Sequence, residues 1–242
     1  MVVNYIFASH VGKRRSVNED AVSVFNLEDG LLSVVCDGLG GNRAGDVASK
    51  TAIEAIYDFF VQNPQLDYLT KINSALLAAH RVLLEKGSDT EKYKGMATTA
   101  VVVFIAGNTV YWGHIGDSRI YYLSNDQLLQ VTKDHSLVQK MVDNGLITPG
   151  QAEKHPHRNI IVKALGEEND CSPDSDYFYI DEGQQFKILL CSDGVCGVLN
   201  ASEIFDTLSQ GENLEDISQN FFQLIEEKGS PDNFSYVIIN NI

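Results

Sequence analysis

The chain has 242 residues, room for one large domain or two small ones. Its formal net charge of −15 argues against a nucleic-acid or anionic-membrane partner, since both require a basic face. No apolar run approaches the ~20 residues that span a bilayer. The opening Met1-Val2-Val3-Asn4-Tyr5-Ile6-Phe7 lacks the basic region of a signal peptide, so the expected setting is the cytoplasm.

Residues 2–9 and 20–28 are rich in β-branched and aromatic side chains and read as strands. The polar segment Gly12 to Asp20 lies between them. Leu31, Leu32, Val34 and Val35 form a buried strand that stops at Asp37-Gly38. An acid at such a strand end faces the loop side, and the glycine after it admits close approach to the backbone. From Asp46 to about Phe60 the apolar spacing is helical, and Pro64 marks the stop. A second amphipathic helix carries Leu69, Ile72, Leu76, His80, Leu83 and Leu84 on one face, with His80 read as a packed histidine. Gly87 to Gly95 is charged and glycine-bounded, a loop.

Thr98–Ile105, Thr109–Ile115, Arg119–Leu123 and Gln127–Val131 read as a meander of antiparallel strands with turns at Gly107-Asn108 and Ser124-Asn125-Asp126. Residues 135–158 are polar, with two short helical pieces broken at Thr148-Pro149-Gly150. Further strands are expected at Asn159–Leu165, Tyr177–Ile180 and Phe186–Leu190. A helix is expected from near Asn200, with Asn200 and Glu203 as its capping box, another at about Leu214 to Glu227, and a strand closes at Phe234–Ile239. This order fits an α+β or layered sandwich better than a βαβ repeat. The four cysteines, Cys36, Cys171, Cys191 and Cys196, make no Cys-x-x-Cys pair, which argues against a zinc knuckle or dithiol centre.

The Asp37 pattern recurs. Ile188-Leu189-Leu190-Cys191-Ser192 runs into Asp193-Gly194, and Ser230-Pro231 leads to Asp232-Asn233 before the last strand. Gly116-Asp117 stands between two strands, and Asn18-Glu19-Asp20 leads into another. One such acid is a common turn or cap. Together they favour a shared cation site, because converging carboxylates without a cation repel and protonate one another. An all-oxygen set suits Mg²⁺ or Mn²⁺ rather than zinc. Two such ions suit a phosphoryl substrate, with Arg15 or Arg14 as the cationic clamp.

These residues carry a resemblance. The chain is similar to the metal-dependent protein phosphatases of the type 2C class, above all their compact bacterial members. Matching stretches, in the family's order, are Gly12-Lys13-Arg14-Arg15-Ser16-Val17-Asn18-Glu19-Asp20, Cys36-Asp37-Gly38-Leu39-Gly40-Gly41, Met96-Ala97-Thr98-Thr99-Ala100, Gly113-His114-Ile115-Gly116-Asp117-Ser118-Arg119, Leu165-Gly166, Ser192-Asp193-Gly194 and Asp232-Asn233-Phe234-Ser235. The resemblance covers nearly the whole chain. It implies one catalytic domain over residues 1–242 with an αββα sandwich, two central antiparallel sheets flanked by helix pairs.

It also implies hydrolysis of phosphoserine and phosphothreonine in proteins. By position, Asp37 matches the acid that bridges two core metals, and the Gly38 carbonyl a backbone ligand of one. Asp193 and Asp232 match ligands of the other. Asp20 and Glu19 match acids acting through metal-bound water, and Arg15 matches the phosphate-binding arginine. Asp117, with Asp193, matches the site of a weaker third metal. Residues 135–158 fall at the family's flap. Leu39 and Asn42 depart from the family's frequent methionine and histidine.

The implied mechanism is direct in-line hydrolysis by a bridging water, with no phosphoenzyme. The leaving alkoxide takes its proton from a metal-bound water in preference to His114, which alternates into the core. A monomer acting on phosphorylated proteins, opposite a cognate Ser/Thr kinase, is expected. Two rivals are a phosphatase of anti-sigma-factor antagonists and a non-catalytic metal-dependent binding module. The first usually carries a sensor domain or coiled linker; the complete ligand set and Arg15 weigh against the second.

Overall fold

The computed structural model describes residues 2–39, 44–168, 171–211 and 213–241. Two antiparallel sheets form its centre. The first contains β1 (Asn4–His10), β11 (Phe234–Asn240), β10 (Phe186–Cys191), β7 (Arg119–Ser124) and β8 (Gln127–Gln130), in that spatial order. The second runs β2 (Asp20–Leu27), β3 (Gly30–Leu39), β5 (Ala100–Ala106), β6 (Thr109–Ile115) and β9 (Asp174–Tyr179), with the short β4 (Ala97–Thr98) pairing the end of β3. Helices α1 (Gly45–Gln62) and α2 (Tyr68–Asp89) cover the second sheet, and α6 (Ala201–Gln210) and α7 (Leu214–Glu227) cover the first.

Strand alternation builds three apolar layers from this order. In β3, Leu32, Val34 and Cys36 face α1 and α2, whereas Leu31 and Val35 face the other sheet. In β10, Leu189 and Cys191 face α6 and α7, whereas Ile188 and Leu190 meet β3 and β5 across the gap. The result is the expected four-layer αββα arrangement. Packing rather than capping holds the outer helices. Ile217, Phe221 and Ile225 of α7 are wholly buried. Each such side chain contributes about 1.5–3 kcal/mol, against about 1 kcal/mol for a cap such as the Asn213 side chain on the Asp216 N–H.

Several expectations need correction. The region from Gly87 is not all loop: α2 continues through Asp89 and a 3₁₀ turn follows at Glu91–Tyr93. Asn159–Leu165 is irregular chain, tied only by isolated bridges Ser136–Ile161 and Thr98–Leu165. The four central strands are not one meander. β5 and β6 belong to the second sheet and β7 and β8 to the first, so the chain crosses the sandwich at Gly116-Asp117-Ser118. A one-turn helix, α5 (Asp193–Cys196), follows β10 at a stretch with no helical period. The two short pieces in residues 135–158 are α3 (Leu137–Asp143) and α4 (Pro149–Ala152), the latter with a full capping box from Thr148 and Gln151.

Candidate active site

Along β3 the gap-facing positions are 31, 33 and 35, and the same alternation aims Asp37 into the gap between the sheets. In β2, Val22 and Val24 face the gap, so Asp20 does too, and Asp20 lies opposite Asp37 in register. Thr99 continues the Val101–Val103 series, and Ser9 and Ser235, paired across β1 and β11, continue theirs. The apolar core therefore gives way to polar side chains at one end of the sandwich. Asp117 arrives there on the crossing segment, Asp193 on α5, and Asp232 on the turn before β11.

Neighbouring groups hold these acids. The Asp37 carbonyl accepts from the Thr98 hydroxyl at 2.8 Å and the Thr99 N–H at 2.9 Å, while the Asp37 N–H donates to Thr99 Oγ1 at 3.0 Å. Thr99 Oγ1 is in turn 2.7 Å from Ser118 Oγ. Ser192 Oγ donates to Asp20 Oδ2 at 2.7 Å and accepts from the Ser235 N–H at 3.0 Å. Asn233 ties the loop before β2 to the end of the chain: its Oδ1 accepts the Glu19 N–H at 2.9 Å, and its Nδ2 donates to the Val11 and Val17 carbonyls. Gly38 is hemmed in by backbone: a Cβ there would lie 2.2 Å from the Gly45 oxygen and 2.5 Å from the Glu19 oxygen. Only glycine fits that spot.

Arg15 is exposed and lies on Asp232. Its Nη2 donates to Asp232 Oδ2 at 2.8 Å, and its Nε stands 2.8 Å from Oδ1, a two-point fork. That hydrogen bond, against the cost of partial burial, holds the guanidinium pKa above its usual value. The fork places Arg15 at the rim of the acids, within reach of a ligand of theirs.

The electrostatics is that of converging acids. Burial first, and then Asp20, Asp193 and Asp117, push Asp37 well above the usual carboxylate range. Asp20 is pushed up to about 7 by burial, against the hydrogen bonds from Ser192 and Ser235. Asp117 is pushed up to about 8 by burial and then by Asp193 and Asp134. Burial and then Asp232 raise Asp193, and burial raises Glu19. Asp20 and Asp117 are 4% and 7% exposed, and each has an Oδ1 with no hydrogen-bond partner among the described residues. An orphaned buried oxygen costs about 1–3 kcal/mol, more for a charged group. A divalent ion with a preference for oxygen ligands would offset that cost, so the residues present fit Mg²⁺ or Mn²⁺.

The sequence profile described as Protein phosphatase 2C matches residues 8–235. The chain belongs to the protein phosphatase 2C family. It is 32% identical over 237 residues to the protein phosphatase PhpP of Streptococcus pneumoniae, covering 95% of this chain and 94% of that one. The solved structure of the serine/threonine phosphatase Stp1 from Staphylococcus aureus superposes with a TM-score of 0.93 at 31% identity, covering 100% of this chain and 96% of Stp1. The catalytic domain of the serine/threonine protein phosphatase PstP, solved in complex with two manganese ions, gives a TM-score of 0.84 at 32% identity over 98% of this chain and 97% of that one.

Within this protein phosphatase 2C chain, Arg15, Glu19, Asp20, Asp37, Gly38, Asp117, Asp193 and Asp232 all lie at or beside the one end of the sandwich. Arg14 is exposed. Gly40, Gly41 and Asn42 lie outside the described residues. His80 is half-buried rather than a core residue and accepts the Gly166 N–H at 3.2 Å. The supporting roles of Thr98, Thr99, Ser192, Ser235 and Asn233 were not read from the sequence. Their signal was available: each is a polar residue in or next to an apolar strand, on the end that carries an acid.

Proposed function

We propose that this chain is a metal-dependent protein serine/threonine phosphatase, with residues 1–242 as one catalytic domain and 135–158 as its flap. The observation that carries the reading is the buried carboxylate cluster at the end of the inter-sheet gap, with orphaned oxygens on Asp20 and Asp117 and a forked arginine at its rim. Asp37, Asp193, Asp232 and the Gly38 carbonyl would hold two core Mg²⁺ or Mn²⁺ ions. Asp117 would serve a weaker third with Asp193, and Glu19 and Asp20 would act from the periphery. Bound there, such ions polarise phosphoryl oxygens and lower the pKa of water to make a nucleophile.

The remaining work falls to the protein. Arg15, when its fork turns from Asp232 to the substrate, binds the phosphoryl oxygens and orients the group for in-line attack. Thr98 and Thr99 fix the Asp37 peptide, and Ser192 fixes the Asp20 carboxylate. His114 is buried, and burial pushes its pKa to about 3, so at neutral pH it is a neutral imidazole and no acid for the leaving alkoxide. The reading includes phosphorylated proteins as substrates, a Ser/Thr kinase as counterpart, a cytoplasmic setting and a monomeric enzyme. PhpP and PstP are named as protein phosphatases, which favours this over the anti-sigma-antagonist reading. No helix of the described residues is long and apolar enough to cross a membrane.

The test is phosphate release from a phosphothreonine peptide in Mn²⁺. Release should stop with EDTA and return with added Mn²⁺. A protein that releases no phosphate under any metal, or releases it equally in EDTA, overturns the proposal.

A further inference from the structure

Beside Asp117 lies a second polar cluster: His114, His135 and Asp174 bring donor atoms within 4.8 Å of one another. Two imidazoles and a carboxylate have the composition of a zinc site. The hydrogen bonding contradicts that reading. The Gly116 N–H donates to His135 Nδ1 at 3.1 Å, which uses that lone pair and leaves the ring proton on Nε2. Nε2 faces Asp174 Oδ2 at 3.2 Å, a close but poorly aligned contact, and it is the position a metal would need. A metal-ligating histidine donates from its other nitrogen; this one accepts.

We propose that His135 is a positioning residue that clamps Gly116 by both its backbone groups and thereby sets Asp117 in the metal centre. The clamp has two points. His135 Nδ1 takes the Gly116 N–H, and the His135 backbone N–H donates to the Gly116 oxygen at 2.7 Å. One residue thus holds both polar groups of Gly116. The peptide needs holding, because Gly116 has φ +107°, and a Cβ there would come 2.5 Å from Thr99 Cγ2. Asp117 follows directly. Its Oδ1 has no partner, so its placement depends on the backbone more than on its own side-chain bonds.

His135 is also where the flap closes on the body of the protein. Its carbonyl accepts the Val162 N–H at 2.8 Å, Ser136 caps α3, and Ser136 bridges Ile161. Both ends of residues 136–161 therefore meet at the residue that grips Gly116. The ring is itself fixed by His114, whose centroid lies 4.5 Å away. The inference rests on the reading of Asp117 as a ligand of the weak third ion.

Calorimetric titration of Mn²⁺ without substrate tests it. His135→Ala should weaken the weakest binding event about 10-fold or more and leave the tight events unchanged. His135→Asn, whose Oδ1 can accept the Gly116 N–H, should restore most of the loss. His135→Phe keeps the ring volume without the nitrogens; it should behave as His135→Ala and carries the test if the alanine variant fails to fold. Asp117→Ala serves as reference. If it abolishes the weak event while the His135 variants leave it intact, or if Asn is as impaired as Phe, the clamp is overturned. If Asp117→Ala leaves the weak event intact, the assignment of Asp117 fails instead.

Discussion

Asp117 and Asp134 are both carboxylates close to the crossing between the sheets, and they live opposite lives. Asp134 is satisfied. Arg119 donates Nε to its Oδ1 at 2.8 Å and Nη2 to its Oδ2 at 2.7 Å, and Gln130 Nε2 approaches Oδ1 at 3.4 Å. Arg119 is also bonded to the Tyr121 hydroxyl at 3.1 Å. Asp117 is more deeply buried yet has an oxygen with no partner among the described residues, and burial first, then the nearby acids, raise its pKa against Arg119, which lowers it. A carboxylate with its partners inside the protein belongs to the architecture. Asp117 has the chemistry of a ligand position.

That contrast can be broken by substitution. The largest effect is expected at the incomplete centre. Asp193→Asn should lower Mn²⁺-dependent turnover by at least about 100-fold, since even outer partners of metal ligands are worth 10–100-fold. The fold should survive, because the change removes one of several mutually repelling charges. Turnover near the wild-type value sinks the ligand assignment. Arg119→Ala should do the reverse and cost stability. Leaving the part-buried Asp134 without its arginine costs about 1–3 kcal/mol, a fall in Tm of roughly 2–12 °C for a chain of this size. If Arg119→Ala melts no lower than Asp193→Asn, the two carboxylates do not differ as described.

The smallest effect is in pH. Asp20 and Asp117, with pKa values raised to about 7 and about 8, bind protons in the folded state that the unfolded chain has released. Their stabilisation is therefore complete below the ordinary carboxylate pKa and is lost as pH rises toward 7 and 8. In EDTA, Tm should fall between pH 5 and 8. In Mn²⁺ the slope should flatten or invert, because binding needs deprotonated ligands and strengthens over the same range. A Tm in EDTA that is level across that range removes the electrostatic account.

Much of the architecture was legible because its periodicities are long. The helical faces of α1 and α7 and the alternation in β3 and β10 each repeat enough times to fix an element and its buried side. The candidate acids were legible because each stands at the boundary of an expected strand. What escaped was whatever depends on partners remote in sequence. The crossing at Gly116 could not be told from an ordinary hairpin, because β6 and β7 have the same local pattern as a meander. Asn159–Leu165 has strand-like side chains but finds only two isolated bridges, so its pairing fails in three dimensions. The one-turn α5 is too short for any period. The grip of His135 on Gly116 joins residues from two segments, and no spacing rule announces it.

Cys36 adjoins Asp37 in β3, yet it is wholly buried and faces the helices, on the opposite side of the strand from the acid. Burial raises its thiol pKa far above the ordinary value, so the thiolate required for oxidation or alkylation is not formed. A hydrolase whose nucleophile came from a cysteine would be silenced by a peroxide burst. Here the sulfur that adjoins Asp37 is sealed away, so Cys36 should stay unmodified under oxidative stress that stops thiol-dependent enzymes. Treatment with iodoacetamide should leave its turnover intact.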